Sequence, residues 1–335
     1  SSMATTKVTT DVIDMSGNTG GLVWAKGTTA QRPAVGVSTI GDLRENTETF
    51  RTEVYNNSGA WRNLKEATPA LELEYLIVAG GAGGGVGGGG AGGLLTNYLG
   101  TKLSLSTATT YTIEVGIPGI GVSSNGGVPS GDGGDSKFGV VGSEIISTGG
   151  GGAGTGGAVG SYNNGQDGGS GGGSHASGTV GQGQAGQGFD GSVGLSAGGG
   201  GGGASASAST PSEYSGGNGG AGLQVNIDGL NNSYAGGGGG FAYGTGTAGT
   251  ASDGGGAGFY GTGTGTSGGQ NTGGGAGGGI NSGSNGGSGV IILRYPSNYT
   301  AVFSSGVTQV ENTSISGVKI NTITAAGAGE TVIFS

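Results

Sequence analysis

Apolar and polar positions alternate in short stretches at the two ends of the chain and give way to glycine between them. Thr49-Phe50-Arg51-Thr52-Glu53-Val54-Tyr55 alternates as a strand does. Asn56-Asn57-Ser58-Gly59 then supplies strong turn chemistry, so Ala60-Trp61-Arg62-Asn63-Leu64 is predicted to return as the second arm of a hairpin. Leu22-Val23-Trp24 and the small and β-branched residues of 34–41 read as further short strands. Tyr75-Leu76-Ile77-Val78 is an apolar strand that runs straight into glycine, and Gly289-Val290-Ile291-Ile292-Leu293-Arg294-Tyr295 is its counterpart at the other end of the glycine region. Within the region, Leu103-Ser104-Leu105 and Tyr111-Thr112-Ile113-Glu114-Val115 give two more arms. Lys137–Val141 and Glu144–Ser147 form a predicted hairpin around Gly142-Ser143. The tail alternates again at Ala301–Phe303, Val318–Ile323 and Thr331–Phe334, which predicts a small terminal sheet or an arm docked on something larger. Three parts follow: a β module over 1–70, a glycine-rich domain with strand brackets over 71–297, and a β segment over 298–335.

The glycine between the brackets changes the picture. Of 93 glycines in 335 residues, 82 fall within 80–290, a region whose only basic residues are Lys102 and Lys137. Glycine propagates a helix worse than any residue except proline, and in a flat sheet its missing side chain contributes no packing. The ordered form left is the left-handed three-residue helix, which has no internal hydrogen bonds and must satisfy every N–H and C=O from neighbouring segments. Only glycine lets such segments approach closely on all sides. The inserts divide the region into runs of roughly 6–14 residues, each about 20–45 Å long at about 3.1 Å per residue. The predicted fold class is therefore mostly irregular and β: a bundle of polyglycine II helices flanked by short antiparallel strands, with a small N-terminal β module. Ala, Ser and Thr within the runs are expected on outward faces. The competing reading is a loosely ordered glycine linker between two β pieces. The N-terminal module has little apolar content for its length, and assembly with identical chains, a homotrimer in a fibre, is the economical remedy.

Charge and chemistry narrow the function. With 11 basic against 20 acidic residues and a net charge of −9, there is no electrostatic footprint for nucleic acid or anionic lipid. No apolar run of about 18 residues is present, so membrane insertion is not expected. No signal peptide is visible, and Ser1-Ser2 before Met3 read as an appended remnant. The chain has no Cys, which excludes thiolate chemistry. His175 is the single histidine, so neither a His-based triad nor a multi-His metal site can form within one chain; it reads as a surface turn residue. Asp132 and Asp135 in Ser130-Gly131-Asp132-Gly133-Gly134-Asp135 bear a faint likeness to calcium loops, with the spacing of neither the EF-hand nor the nonapeptide repeat. Glu144, Asp167, Asp190, Glu213, Asp228 and Asp253 supply carboxylates, but no organising basic residue accompanies them, which argues against glycoside cleavage. No enzymatic activity and no cofactor are expected.

The residues that interrupt the glycine carry a family likeness. Glu74-Tyr75-Leu76-Ile77-Val78-Ala79-Gly80-Gly81, then Ala91-Gly92-Gly93-Leu94-Leu95, resembles the start of the glycine-rich domain of bacteriophage tail fibres. Tyr111–Gly116, Gly134–Gly139 and Gly289–Pro296 match later landmarks in order, so the likeness covers about 72–297. Ala30-Gln31-Arg32-Pro33, Gly41–Thr49, Glu53-Val54-Tyr55 and Trp61 are similar to a short module of phage fibre and virion-appendage proteins. The resemblance implies an adhesin at a fibre tip, built on polyglycine helices, whose loops contact a bacterial surface receptor. It implies a place on the virion, outside the cell at the host surface, and other virion proteins as partners.

Eleven aromatic residues lie within 80–290. Tyr98, Tyr111 and Phe138 sit in the strand landmarks and are assigned to the core. The others interrupt the glycine, and aromatics amid Asn, Ser and Thr have the composition of adaptable recognition loops. The candidate receptor-binding residues are Tyr162, Asn163, Asn164, Tyr214, Asn231, Asn232, Tyr234, Phe241, Tyr243, Phe259 and Tyr260, with capping of the bundle as the alternative role for each aromatic. Two other readings stand beside the adhesin: a virion spacer such as a head or neck fibre, and, more remotely, an ice-binding polyglycine protein, which would need a regular Thr/Ala face.

Overall fold

The computed structural model describes residues 25–33, 42–49, 51–56, 58–63, 70–124, 127–156 and 160–335. The strands expected at Leu22–Trp24 and 34–41 lie outside these residues. Residues 1–68 and 69–335 form two compact units.

In the first unit, β1 (Ala25–Gly27) pairs in parallel with β2 (Leu43–Asn46), and β2, β3 (Arg51–Tyr55) and β4 (Trp61–Asn63) follow antiparallel. The β3–β4 turn forms because the Asn56 side-chain oxygen accepts the backbone N–H groups of Ser58 and Ala60 at 3.1 Å, while Gly59 takes the left-handed φ of +75°. Across the hairpin Tyr55 faces Trp61, ring centroids 5.5 Å apart. Glu53 is fully buried and is held by an ion pair with Arg32 and a 2.9 Å hydrogen bond from the Asn46 amide. The Arg32 guanidinium keeps the Glu53 carboxyl below its usual range, with burial opposing.

The second unit is also built from strands and irregular segments, with no α-helix among the described residues. Its first strands are β5 (Glu72–Val78), β6 (Leu94–Thr96), β7 (Leu103–Ser104), β8 (Thr110–Glu114), β9 (Ser136–Gly139) and β10 (Ile145–Ser147). After them come β11 (Leu223–Val225), β12 (Asn232–Tyr234), β13 (Val290–Pro296), β14 (Ala301–Phe303), β15 (Thr308–Asn312), β16 (Val318–Ala325) and β17 (Thr331–Phe334). They make antiparallel sheets in the orders β10-β9-β8-β17-β14 and β15-β16-β13-β5-β6, the latter six-stranded with β7 also paired to β5, plus the β11–β12 hairpin, and among the described residues none closes on itself. The tail is no separate sheet: β14 and β17 complete the first of these and β15 and β16 the second.

Period-two alternation explains the layering. Leu73 and Ile77 of β5, and Ile291, Leu293 and Tyr295 of β13, face Tyr111, Ile113, Phe138, Val332 and Phe334 of the other sheet in one core. Their neighbours Leu76, Val78, Val290 and Ile292 point to the opposite face and meet Val225, Ile227 and Tyr234 around the β11–β12 hairpin. Both faces of β5 and β13 are covered, so both read as continuous apolar runs.

From Val78 and Val290 the chain passes into the glycine region, where backbone donors find partners on neighbouring segments. The N–H groups of Gly80 and Gly83 donate to Gly134 and Gly131, those of Gly81 and Gly84 to Gly287 and Ser284, and those of Ala79 and Ala82 to Gly93 and Gly90. Donors three residues apart therefore address the same neighbour, and successive donors address three different neighbours. The returning segment repeats the pattern: Gly87, Gly90 and Gly93 donate to Gly154, Gly151 and Thr148; Gly88 and Ala91 to Gly199 and Gly202; Gly89 and Gly92 to Ala276 and Gly273. Such contact leaves no room for a side chain: a Cβ on Gly90 would lie 2.1 Å from the Ser170 carbonyl oxygen.

The small side chains within the runs depart from expectation. Ala79, Ala82, Ala91, Ala153, Ala197 and Ala276 are fully buried, as are Thr155, Ser170 and Ser174. They fill the interior between the segments. Ser192, almost as buried, also serves the backbone: its Oγ accepts the Gly200 N–H at 2.9 Å. Outer edges are closed by longer polar side chains. Asp132 and Asp135, three residues apart, accept the N–H groups of Gly152 and Gly149 at 2.8 and 2.9 Å. Asn164 and Asp167 do the same for Thr179 and Gln182, at 2.9 and 2.7 Å. Asp190 and Asp253 accept from Gly183 and Gly222.

Candidate functional site

The end of the glycine bundle away from the sheets is made by the turns between its segments. The first is set by Val86, where the Gly85 N–H donates to the Gly87 carbonyl at 3.1 Å and the chain reverses. Eight residues lead from Val78 at the end of β5 to this turn. An isolated β-branched residue inside a glycine run marks the turn, because its side chain fits only where the neighbouring segments stop.

Tyr214, Tyr243, Phe259 and Tyr260 come together here. The Tyr243 N–H donates to the Tyr214 carbonyl at 2.9 Å, the Ala242 N–H to the Phe259 carbonyl at 2.9 Å, and the Tyr260 hydroxyl to the Gly244 carbonyl. Ala242 and Tyr260 also form a parallel bridge. These rings remain open to solvent, with exposures of 44% for Tyr214, 54% for Tyr243, 41% for Phe259 and 52% for Tyr260. Tyr162 and Asn163 are half-buried at the same end, where the Tyr162 and Asn163 carbonyls accept the N–H groups of Thr155 and His175 at 2.8 Å. Asn164 spends its side-chain oxygen on Thr179 and belongs to the scaffold.

Four candidates lie elsewhere or beneath. Phe241, expected to be open, is buried under this end at 3% exposure. Tyr234 is buried on β12 against the second core, and burial pushes its hydroxyl up to about 12. The hairpin shields it because its ring points to the inner face, where the six-stranded sheet supplies the apolar surface that a glycine bundle lacks. Asn231 and Asn232 are exposed at the turn of that same hairpin, beside the sheets, and hydrogen-bond to Asn226 and Asp228. They join no site with the far-end tyrosines.

The composition and the bracketing strands together have a counterpart. Residues 56–296 match a family described as a glycine-rich domain. The chain belongs to this glycine-rich domain family. No curated protein matches it. The match ends at Pro296, so the four tail strands that complete both sheets lie beyond the matched residues.

Sequence reasoning missed further residues of the far end of this glycine-rich domain. Val86, Ser124, His175, Ser196 and Ile280 join the candidates Phe241 and Tyr243 in lining a recess of 280 Å³. His175 and Ser196 also border a more open recess of 490 Å³ with Ala176, Ser177, Leu195 and Glu213. His175 Nδ1 is buried without a hydrogen-bond partner, and burial pushes the imidazole below its ordinary value, the Ser196 backbone opposing. The available signal was the clustering of apolar or titratable residues that each break a glycine run: Val86, His175, Leu195 and Ile280. Among the described residues, no group of three or more His, Cys, Asp or Glu side chains is placed to hold a metal ion, and no helix is long and apolar enough to cross a membrane.

Proposed function

We propose that the glycine segments are polyglycine II helices and that they carry an adhesin of a bacteriophage tail fibre, which binds a bacterial surface receptor through the far-end turns without catalysis. The three-residue recurrence of hydrogen-bond partners supports the polyglycine reading, because a helix with three residues per turn presents each third N–H in one direction. The observation that carries the adhesin reading is the cluster of exposed Tyr214, Tyr243, Phe259 and Tyr260 on one end of a bonded scaffold. Rigid aromatic side chains give large contact area at low conformational cost, and a fixed backbone preorganises them. Asp132, Asp135, Asp167, Asp190 and Asp253 are occupied as backbone acceptors, which supports scaffold roles over acid–base ones.

The N-terminal unit then serves attachment to other virion proteins and assembly of identical chains, a homotrimer in the fibre reading. Tagged protein incubated with a panel of bacterial strains, read by flow cytometry, tests the proposal. Saturable adsorption to some strains, blocking of a phage that infects them, and loss of adsorption in the triple variant Tyr214→Ala, Tyr243→Ala, Tyr260→Ala are expected. Adsorption to none, or undiminished adsorption of the triple variant, overturns it in favour of a spacer.

A further inference from the structure

The two far-end recesses share a wall made by His175 and Ser196. Phe241 and Val86, both buried, and Ile280 give the smaller one an apolar lining, and half-exposed Tyr243 stands at its rim. Polar groups converge on this lining. Ser124 donates its hydroxyl proton to the Ile280 carbonyl at 2.8 Å, which leaves its lone pairs free to accept. His175 Nδ1 has no hydrogen-bond partner among the described residues, and the Ser196 side chain is exposed. Beyond the shared wall the larger recess adds Ser177 and Glu213. Among the described residues no Lys or Arg lines either recess, and Glu213 is their one carboxylate.

Size and chemistry together specify a ligand class. A volume of 280 Å³ falls just under the roughly 300–1,000 Å³ of pockets for drug-sized molecules, which suits one six-membered ring, and 490 Å³ next to it gives room for a second. Aromatic surface packs on the C–H face of a pyranose while hydroxyls and an imidazole meet its polar rim. The lack of a cation and the presence of Glu213 disfavour acidic sugars and phosphates, which need charge-assisted partners. An extended peptide is the weaker fit, because the N–H groups of Phe241, Tyr243 and His175 are already spent on the carbonyls of Val86, Tyr214 and Asn163.

We infer that the paired recesses bind a short neutral glycan, one ring against Phe241 and Tyr243 and the next across Ser196 toward Glu213. The inference rests on the adhesin reading only for the source of the glycan, a bacterial surface.

His175 is the single histidine, so its imidazole resonances in the full chain report on the shared wall without assignment. The probes are methyl glucoside, methyl galactoside, N-acetylglucosamine and the disaccharides cellobiose and lactose, with N-acetylneuraminic acid and glucose 6-phosphate as charged controls. At least one neutral sugar is expected to shift the imidazole signals saturably, with the charged controls silent. Ser196→Phe, at an exposed position, fills the shared wall and is expected to weaken that sugar by roughly tenfold or more with an unchanged melting temperature. Tyr243→Ala gives a second variant at the rim. The inference is overturned if no neutral sugar shifts the signals, if the charged controls bind as well, or if both variants bind like the parent. Cell adsorption with silent sugars sinks the glycan site and spares the adhesin; sugar binding without adsorption does the reverse.

Discussion

A methyl group on Gly88 would lie 2.1 Å from the Gly238 carbonyl oxygen. Both partners are backbone held by further hydrogen bonds, so neither can withdraw. Gly88→Ala is expected to lower stability by about 3 kcal/mol, read as a fall in melting temperature. Gly327 has open space around its Cβ position and no positive φ, so Gly327→Ala should be neutral or slightly stabilising; equal effects of the two would refute steric necessity in the bundle. At His175, burial favours the neutral ring, so the imidazole should titrate below the ordinary value of about 6.5 when followed by NMR. A midpoint at or above that value would mean that the ring is solvated and its recess open. Individual polar residues were only partly legible. The Asp132-x-x-Asp135 spacing invited a cation, whereas on a three-residue period it sets two acceptors side by side on one edge. Their partners Gly152 and Gly149 lie across a neighbouring segment that no local pattern could identify.

Strands announced themselves where both faces or one face are buried. Tyr75–Val78, Gly289–Tyr295 and Val318–Ile323 could be read directly because their side chains enter cores on fixed faces. Thr308–Asn312 escaped because it is an edge strand with mostly exposed side chains, so selection of apolar residues leaves no trace there. The β11–β12 hairpin escaped for a related reason: Leu223 and Gln224 are exposed and its burial comes from Val225 and Tyr234 alone. What local pattern does not carry is which sheet each strand joins, since β17 pairs with β8 across more than half the sequence. The tail is accordingly part of the fold. Ending the chain at residue 297 removes Phe334 from Tyr295, whose ring centroid lies 5.1 Å away, and strips strands from both sheets. That truncation should give insoluble protein or no cooperative melting by circular dichroism; a normal transition would show the sandwich to be dispensable.

At the scale of the whole molecule, two units with separate interiors imply two stabilities. In the first, Glu53 binds its proton more weakly when folded, because of Arg32 and despite burial. The stabilisation is present above the unfolded carboxyl value of about 4.3 and is lost as pH falls through the lower folded value. Acid below about pH 4 should therefore lower the melting transition of this unit, and Glu53→Gln should flatten that dependence while lowering stability at neutral pH. Residues 69–335 alone should keep their own transition at neutral pH; its loss would refute independence of the units. The three-residue recurrence of partners also constrains how such a chain can change its length over evolution. On the polyglycine II reading, adding one glycine between Gly80 and Gly83 turns every later donor by a third of a revolution, onto the wrong neighbour, whereas adding three restores each direction one turn further out. Backbone geometry thus imposes a reading frame of its own, in which segments lengthen by triplets and the turns alone are free to drift.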